Sequence, residues 1–111
     1  MPHIIVEHSE DISQNTDIAT LVKELHEVLS EQETVKLSAI KSRSILVDHV
    51  IVGAPHQQNS MVHISVLLMP GRSKELKETM ASAMHSRARE VLDSMNTSIT
   101  VNVEELGTYY S

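Results

Sequence analysis

The chain has 111 residues, 41% of them hydrophobic, and a formal charge of −6. That suffices for one domain with a folded core and argues against disorder, while the acidic excess argues against a general nucleic-acid or anionic-membrane surface. With no cysteine there is no disulfide or thiolate metal site, and with no Trp or Phe the core must come from Ile, Val, Leu, Met and Ala.

Taken in chain order, residues 3–8 are short and rich in β-branched side chains, which predicts a strand beginning almost at Met1. A polar stretch over 9–17 can supply a helix N-cap, and Ile18, Leu21, Val22, Leu25, Val28 and Leu29 then recur at helical spacing, predicting an amphipathic helix over roughly 17–33. Residues 37–52 read as extended, with Ile45-Leu46-Val47 and Val50-Ile51-Val52 as apolar knots, and 53–59 as a loop. A second strand-helix-strand series follows: a strand over 61–69, Ser73 as N-cap, a helix lined by Leu76, Met80, Met84, Val91, Leu92 and Met95, and a last strand over 98–106.

The order is β-α-β twice, in one domain spanning 1–111 with halves at about 2–53 and 60–106. His3-Ile4-Ile5-Val6 and His63-Ile64-Ser65-Val66 share three letters in four, which hints at a duplication. Right-handed crossovers set both helices on one face of the sheet. Because 45–47 and 66–69 are apolar on both sides of the pleat, the second face also needs cover, and neighbouring subunits are the economical source. The start of the chain lacks the basic region and long apolar run of a signal peptide, and no apolar stretch reaches membrane-spanning length, so a soluble cytoplasmic protein is expected.

Pro2 is the first candidate for chemistry. If Met1 is removed, Pro2 carries a secondary α-amine. Burial in an apolar strand and nearby cations both disfavour its protonated form, which suits a proton shuttle working near neutral pH. The competing reading is that Pro2 only begins a strand. Arg72, after Pro70-Gly71 and beside a helix start, is a candidate carboxylate anchor. Lys41 and Arg43, two apart on an extended segment, leave the same face and can add positive charge. The seven histidines, His3, His8, His26, His49, His56, His63 and His85, have no ligand pair at helical spacing, so no metal is expected. His3 and His63 stand at equivalent strand positions, where packing or hydrogen bonding is the simpler role. Asp48-His49, adjacent on an extended segment, would point to opposite faces.

An N-terminal proline opening a strand in a duplicated β-α-β chain resembles the tautomerase superfamily. Within it the chain resembles the 5-carboxymethyl-2-hydroxymuconate isomerase family. The resemblance rests on Pro2-His3-Ile4-Ile5-Val6-Glu7, Ala39-Ile40-Lys41-Ser42-Arg43, Val47-Asp48, Val62-His63-Ile64, Gly71-Arg72-Ser73 and Val103-Glu104-Glu105-Leu106, in family order over almost the whole chain. It implies an α+β fold, a four-stranded mixed sheet with two helices on one face, assembled as a homotrimer. It also implies cofactor-free conversion of a 2-hydroxymuconate-type dienol dicarboxylate to its 2-oxo isomer, as in aromatic-compound catabolism, with Pro2 as proton shuttle and Arg72, Arg43 and Lys41 toward the substrate. The family usually has arginine where this chain has Lys41, and its C-terminal extension is missing. The only aromatic residues, Tyr109 and Tyr110, are not expected in the site. Two alternatives remain: a tautomerase or hydratase of another unsaturated or 2-oxo acid, and a non-catalytic trimeric ligand-binding protein of the same fold.

Overall fold

The computed structural model describes residues 1–55 and 57–111. Its elements are β1 (His3–His8), α1 (Glu10–Asn15), α2 (Ile18–Ser30), a 3-10 turn at Leu37–Ala39, β2 (Lys41–Leu46), β3 (Met61–Leu68), α3 (Lys74–Val91) and β4 (Ser98–Glu105). Side chains alternate along the two central strands. Ile4, Val6 and His8 on β1, and Val62, Ile64, Val66 and Leu68 on β3, are buried, whereas the residues between them are half-buried. That is the signature of strands packed on one face only.

The sheet runs β2-β1-β3-β4. β1 pairs parallel with β2, β3 pairs parallel with β4, and the two pairs meet antiparallel through β1 and β3. A parallel pair needs a crossover, supplied by α2 in the first and α3 in the second. Both long helices lie on the face that carries Ile4 and Ile64. Leu21, Leu25, Val28 and Leu29 of α2 and Met80, Met84 and Ala88 of α3 join those strand residues in one core. The mixed four-stranded sheet with two main helices is the architecture expected from the sequence. Capping agrees as well. The Ser73 side chain accepts from the Leu76 N–H at 3.1 Å, and Asp17 accepts from the Ala19 N–H at 3.1 Å.

Three local expectations need correction. The polar run after β1 is not only a cap: Glu10–Asn15 forms a short helix, pinned by buried Ile12. The helix expected to reach residue 33 ends at Ser30. Residues 37–52 are not continuously extended either, since a 3-10 turn precedes β2 and the ladder stops at Leu46, apart from a bond from the Val47 N–H to the His8 carbonyl at 2.9 Å. Asp48 and His49 therefore lie in a turn, with His49 at φ 56°. Ile45 and Leu46 are 46% and 52% exposed in the single chain, at the edge strand β2, which leaves them to the cover expected from neighbouring subunits. His56, within the expected 53–59 loop, lies outside the described residues. Among those described, no helix is long and apolar enough to cross a membrane.

Candidate active site

Strand register gathers the candidate residues at one end of the sheet. His3 is level with Lys41 on β2 and with Leu67 on β3, and Leu67 is level with Glu104 on β4. The starts of β1 and β2 and the ends of β3 and β4 thus share that end. Pro2 is buried there, and its carbonyl accepts from the Lys41 N–H at 3.0 Å. By strand parity His3, Lys41 and Arg43 stand on the face opposite the helices, so the same-face pairing expected of Lys41 and Arg43 holds.

His3 is the hinge of the cluster. Arg43 Nη1 donates to His3 Nδ1 at 3.0 Å, and His3 Nε2 lies 2.9 Å from the Tyr109 hydroxyl. The imidazole and phenol rings meet edge-on, with centroids 5.7 Å apart at 70°. Burial chiefly, then the charges of Arg43 and Lys41 and of the N-terminus, hold the His3 pKa below its ordinary value of 6.5. The imidazole is therefore neutral in the folded protein near neutral pH. Among the described residues neither Lys41 nor Arg43 has a carboxylate at ion-pair distance; the ion pairs formed belong to Lys74, Lys77 and Arg87. Lys41 and Arg43 are thus exposed cations at the same end of the sheet as buried Pro2, an arrangement that raises the local positive potential.

Arg72 stands at the same end of the sheet but faces a different partner. Its Nε donates to Thr34 Oγ1 at 3.0 Å, Nη2 to the Thr34 carbonyl at 2.9 Å, and Nη1 to the Met69 carbonyl at 3.3 Å. The guanidinium thus clamps the loop after α2 to the end of β3. Of its five N–H groups, one on each terminal nitrogen remains for a ligand. Pro2, Lys41 and Arg43 lie together at this end of the sheet, with Arg72 tied to the adjoining loop. His3 and Tyr109 join them unforeseen. The parity that pairs Lys41 with Arg43 would have placed His3 beside them once the β1–β2 register was known. Tyr109 depends on the path of the tail after the Leu106 N–H donates to the Leu68 carbonyl at 2.7 Å, which no local pattern encodes.

The remaining histidines sit apart from this cluster. His63 Nδ1 lies 2.7 Å from Thr100 Oγ1, so His3 and His63 do share a hydrogen-bonding role. Among the described residues no group of three His, Cys, Asp or Glu is arranged to hold a metal.

A family model described as 5-carboxymethyl-2-hydroxymuconate isomerase matches residues 2–106. The chain belongs to that family. A 5-carboxymethyl-2-hydroxymuconate Delta-isomerase of Escherichia coli is 26% identical over 110 residues, covering 96% of this chain and 87% of the relative. A 5-carboxymethyl-2-hydroxymuconate isomerase from Deinococcus radiodurans R1 superposes with a TM-score of 0.86 at 18% identity, over 99% of this chain and 88% of that one. A fused 4-OT symmetric trimer superposes at 0.76 with 16% identity, over 94% and 86% of the two chains. At such identities the solved structures establish the tautomerase fold, and family membership makes the chain an isomerase-type enzyme.

Proposed function

We propose that this chain ketonises a 2-hydroxymuconate-type dienol dicarboxylate without a cofactor, using the Pro2 amine as proton shuttle once Met1 has been removed. The observation that carries this reading is buried Pro2 at the head of β1 beside the unneutralised cations Lys41 and Arg43, in a chain of this isomerase family. While Met1 is attached the Pro2 nitrogen is an amide without useful basicity. Its release leaves a secondary amine whose neutral form is favoured by burial and by the two cations. The amine takes the proton from the enol oxygen at C2. The resulting charge spreads along the diene, and the prolinium returns the proton to carbon, leaving the conjugated 2-oxo dicarboxylate. Arg43, Lys41 and the remaining N–H groups of Arg72 hold the two carboxylates.

The working unit in this reading is a cytoplasmic homotrimer of one-domain subunits, each 1–111 with halves at about 2–53 and 60–106, serving aromatic-compound catabolism. The trimeric fold relatives support the assembly. A second reading, action on another unsaturated or 2-oxo acid, is favoured by Lys41. A point charge there lacks the bidentate fork of arginine and loosens the demand for a second carboxylate.

The test combines intact mass of untagged protein with a 2-hydroxymuconate ketonisation assay on the same sample. Protein lacking Met1 is expected to turn over, and Pro2→Ala, equally processed, to lose essentially all turnover. Near-normal activity in Pro2→Ala rejects the shuttle. Arg72→Ala should weaken dicarboxylate turnover well beyond the effect of the exposed control Lys74→Ala, and equal effects would remove Arg72 from the site. A panel in which monocarboxylates outrun the dicarboxylate would select the second reading.

A further inference from the structure

The Arg43–His3–Tyr109 chain has only one consistent arrangement of protons. A guanidinium donates and cannot accept, so His3 Nδ1, 3.0 Å from Arg43 Nη1, must be the acceptor. In a neutral imidazole the ring proton then sits on Nε2, which donates to the Tyr109 oxygen 2.9 Å away. The phenol's own proton is left unengaged, since among the described residues the hydroxyl has no other hydrogen-bond partner. Accepting from His3 polarises that O–H and makes it a better donor. Tyr109 is half-buried, and its histidine partner is bonded directly to Pro2, one Cα–Cα step of about 3.8 Å away.

From this we propose that Tyr109 is a further catalytic residue, its hydroxyl donating to the C2 oxygen of the substrate, with His3 as the residue that positions it. The proposal rests on the reading of Pro2 as proton shuttle. Carboxylates keep their charge throughout the reaction and suit the full cations Lys41 and Arg43. The C2 oxygen is neutral in the dienol, becomes anionic as its proton leaves for Pro2, and ends as a carbonyl. A neutral, pre-aimed donor serves that oxygen in the way that accelerates a reaction, because its hydrogen bond strengthens only as charge develops. Atoms balance: Tyr109 keeps its proton, and the proton that moves from oxygen to carbon travels on Pro2. The C-terminal tail thereby acquires a role in the site.

The experiment compares processed wild type, Tyr109→Phe, His3→Leu, His3→Gln and Pro2→Ala. Each is assayed for ketonisation and for binding of two six-carbon probes, 2-oxoadipate and adipate, which differ only in the C2 oxygen. Tyr109→Phe should lower kcat by about a hundredfold with little change in KM. It should weaken 2-oxoadipate binding about tenfold and leave adipate binding unchanged. His3→Leu should behave likewise. His3→Gln should recover most of that loss, because a glutamine carbonyl accepts from Arg43 while its amide donates to Tyr109. Wild-type kcat and 2-oxoadipate affinity in Tyr109→Phe would overturn the proposal, as would equal weakening of both probes, the mark of a merely structural tail. Failure of the shuttle is read separately, as turnover surviving in Pro2→Ala, and the two-probe comparison decides Tyr109 even if the wild type proves inactive on 2-hydroxymuconate.

Discussion

At the scale of single residues, His3 ties stability to pH. Its folded-state pKa is held below the unfolded value near 6.5, first by burial and then by Arg43, Lys41 and the N-terminus, while Tyr109 faces its other nitrogen. Below that value the unfolded chain binds a proton that the folded chain resists. The contribution is therefore fully present above about pH 6.5 and is lost as pH falls through the folded-state pKa. Urea titrations from about pH 7 to about pH 5 should show wild type losing more stability on acidification than His3→Gln, and parallel losses would remove His3 as the cause. The acid limb also touches the site, because a protonated His3 cannot accept from Arg43. In the core, Met84 is fully buried among α2 and strand residues, so Met84→Ala should cost about 2–5 kcal/mol in the same titrations.

At the scale of elements, legibility followed the length of the pattern. α3 was readable from the Met80 and Met84 stripe and from Ser73, because a long amphipathic period and a side-chain cap are both local signals. α1 was not readable, since Glu10–Asn15 has a single buried apolar residue, Ile12, and is held from outside. Ser60 Oγ lies 2.5 Å from Asp11 Oδ2 and 2.7 Å from Thr97 Oγ1, and Ser9 Oγ donates to Asp11 Oδ1 at 2.5 Å. One serine proton cannot serve both partners, so Thr97 donates to Ser60 and Ser60 to Asp11. Those contacts join residues far apart in sequence and leave no local trace. Asp11→Ala removes the carboxylate that accepts from two buried hydroxyls, at Ser9 and Ser60, and should cost about 1–3 kcal/mol by chemical denaturation. Ser73→Ala, which removes one cap bond from α3, should cost about 1 kcal/mol. A smaller loss at Asp11 than at Ser73 would mean that the network is no more than surface decoration. The candidate site divides in the same way. Pro2, Lys41 and Arg43 were legible from motif and parity, whereas Tyr109 belongs to a tail whose return to His3 is tertiary.

At the scale of the whole molecule, no helix among the described residues covers the face opposite α2 and α3, where Tyr109 of the tail meets His3. Ile5, Leu67 and Ile45 lie on it by parity among polar residues such as Ser65 and Asn102. β2 also ends as an open edge carrying Ile45 and Leu46. Bare edges and apolar faces invite association, and a closed symmetric assembly satisfies both without leading to filaments. If the homotrimer is the working unit, its stability is linked to protomer concentration, so the melting temperature of the wild type should rise with protein concentration. Ile45→Lys puts a charge into that surface without touching the core on the helix side. Sedimentation should then find wild type at three times the chain mass and Ile45→Lys at one, with a melting temperature that no longer depends on concentration. Because Ile45 shares β2 with Lys41 and Arg43, the monomer would also have a site whose cationic strand is no longer braced, and its turnover should fall together with its mass. A wild type that sediments as a monomer, or an Ile45→Lys variant that remains a trimer, would mean that this face is covered by something other than the edge of a second copy.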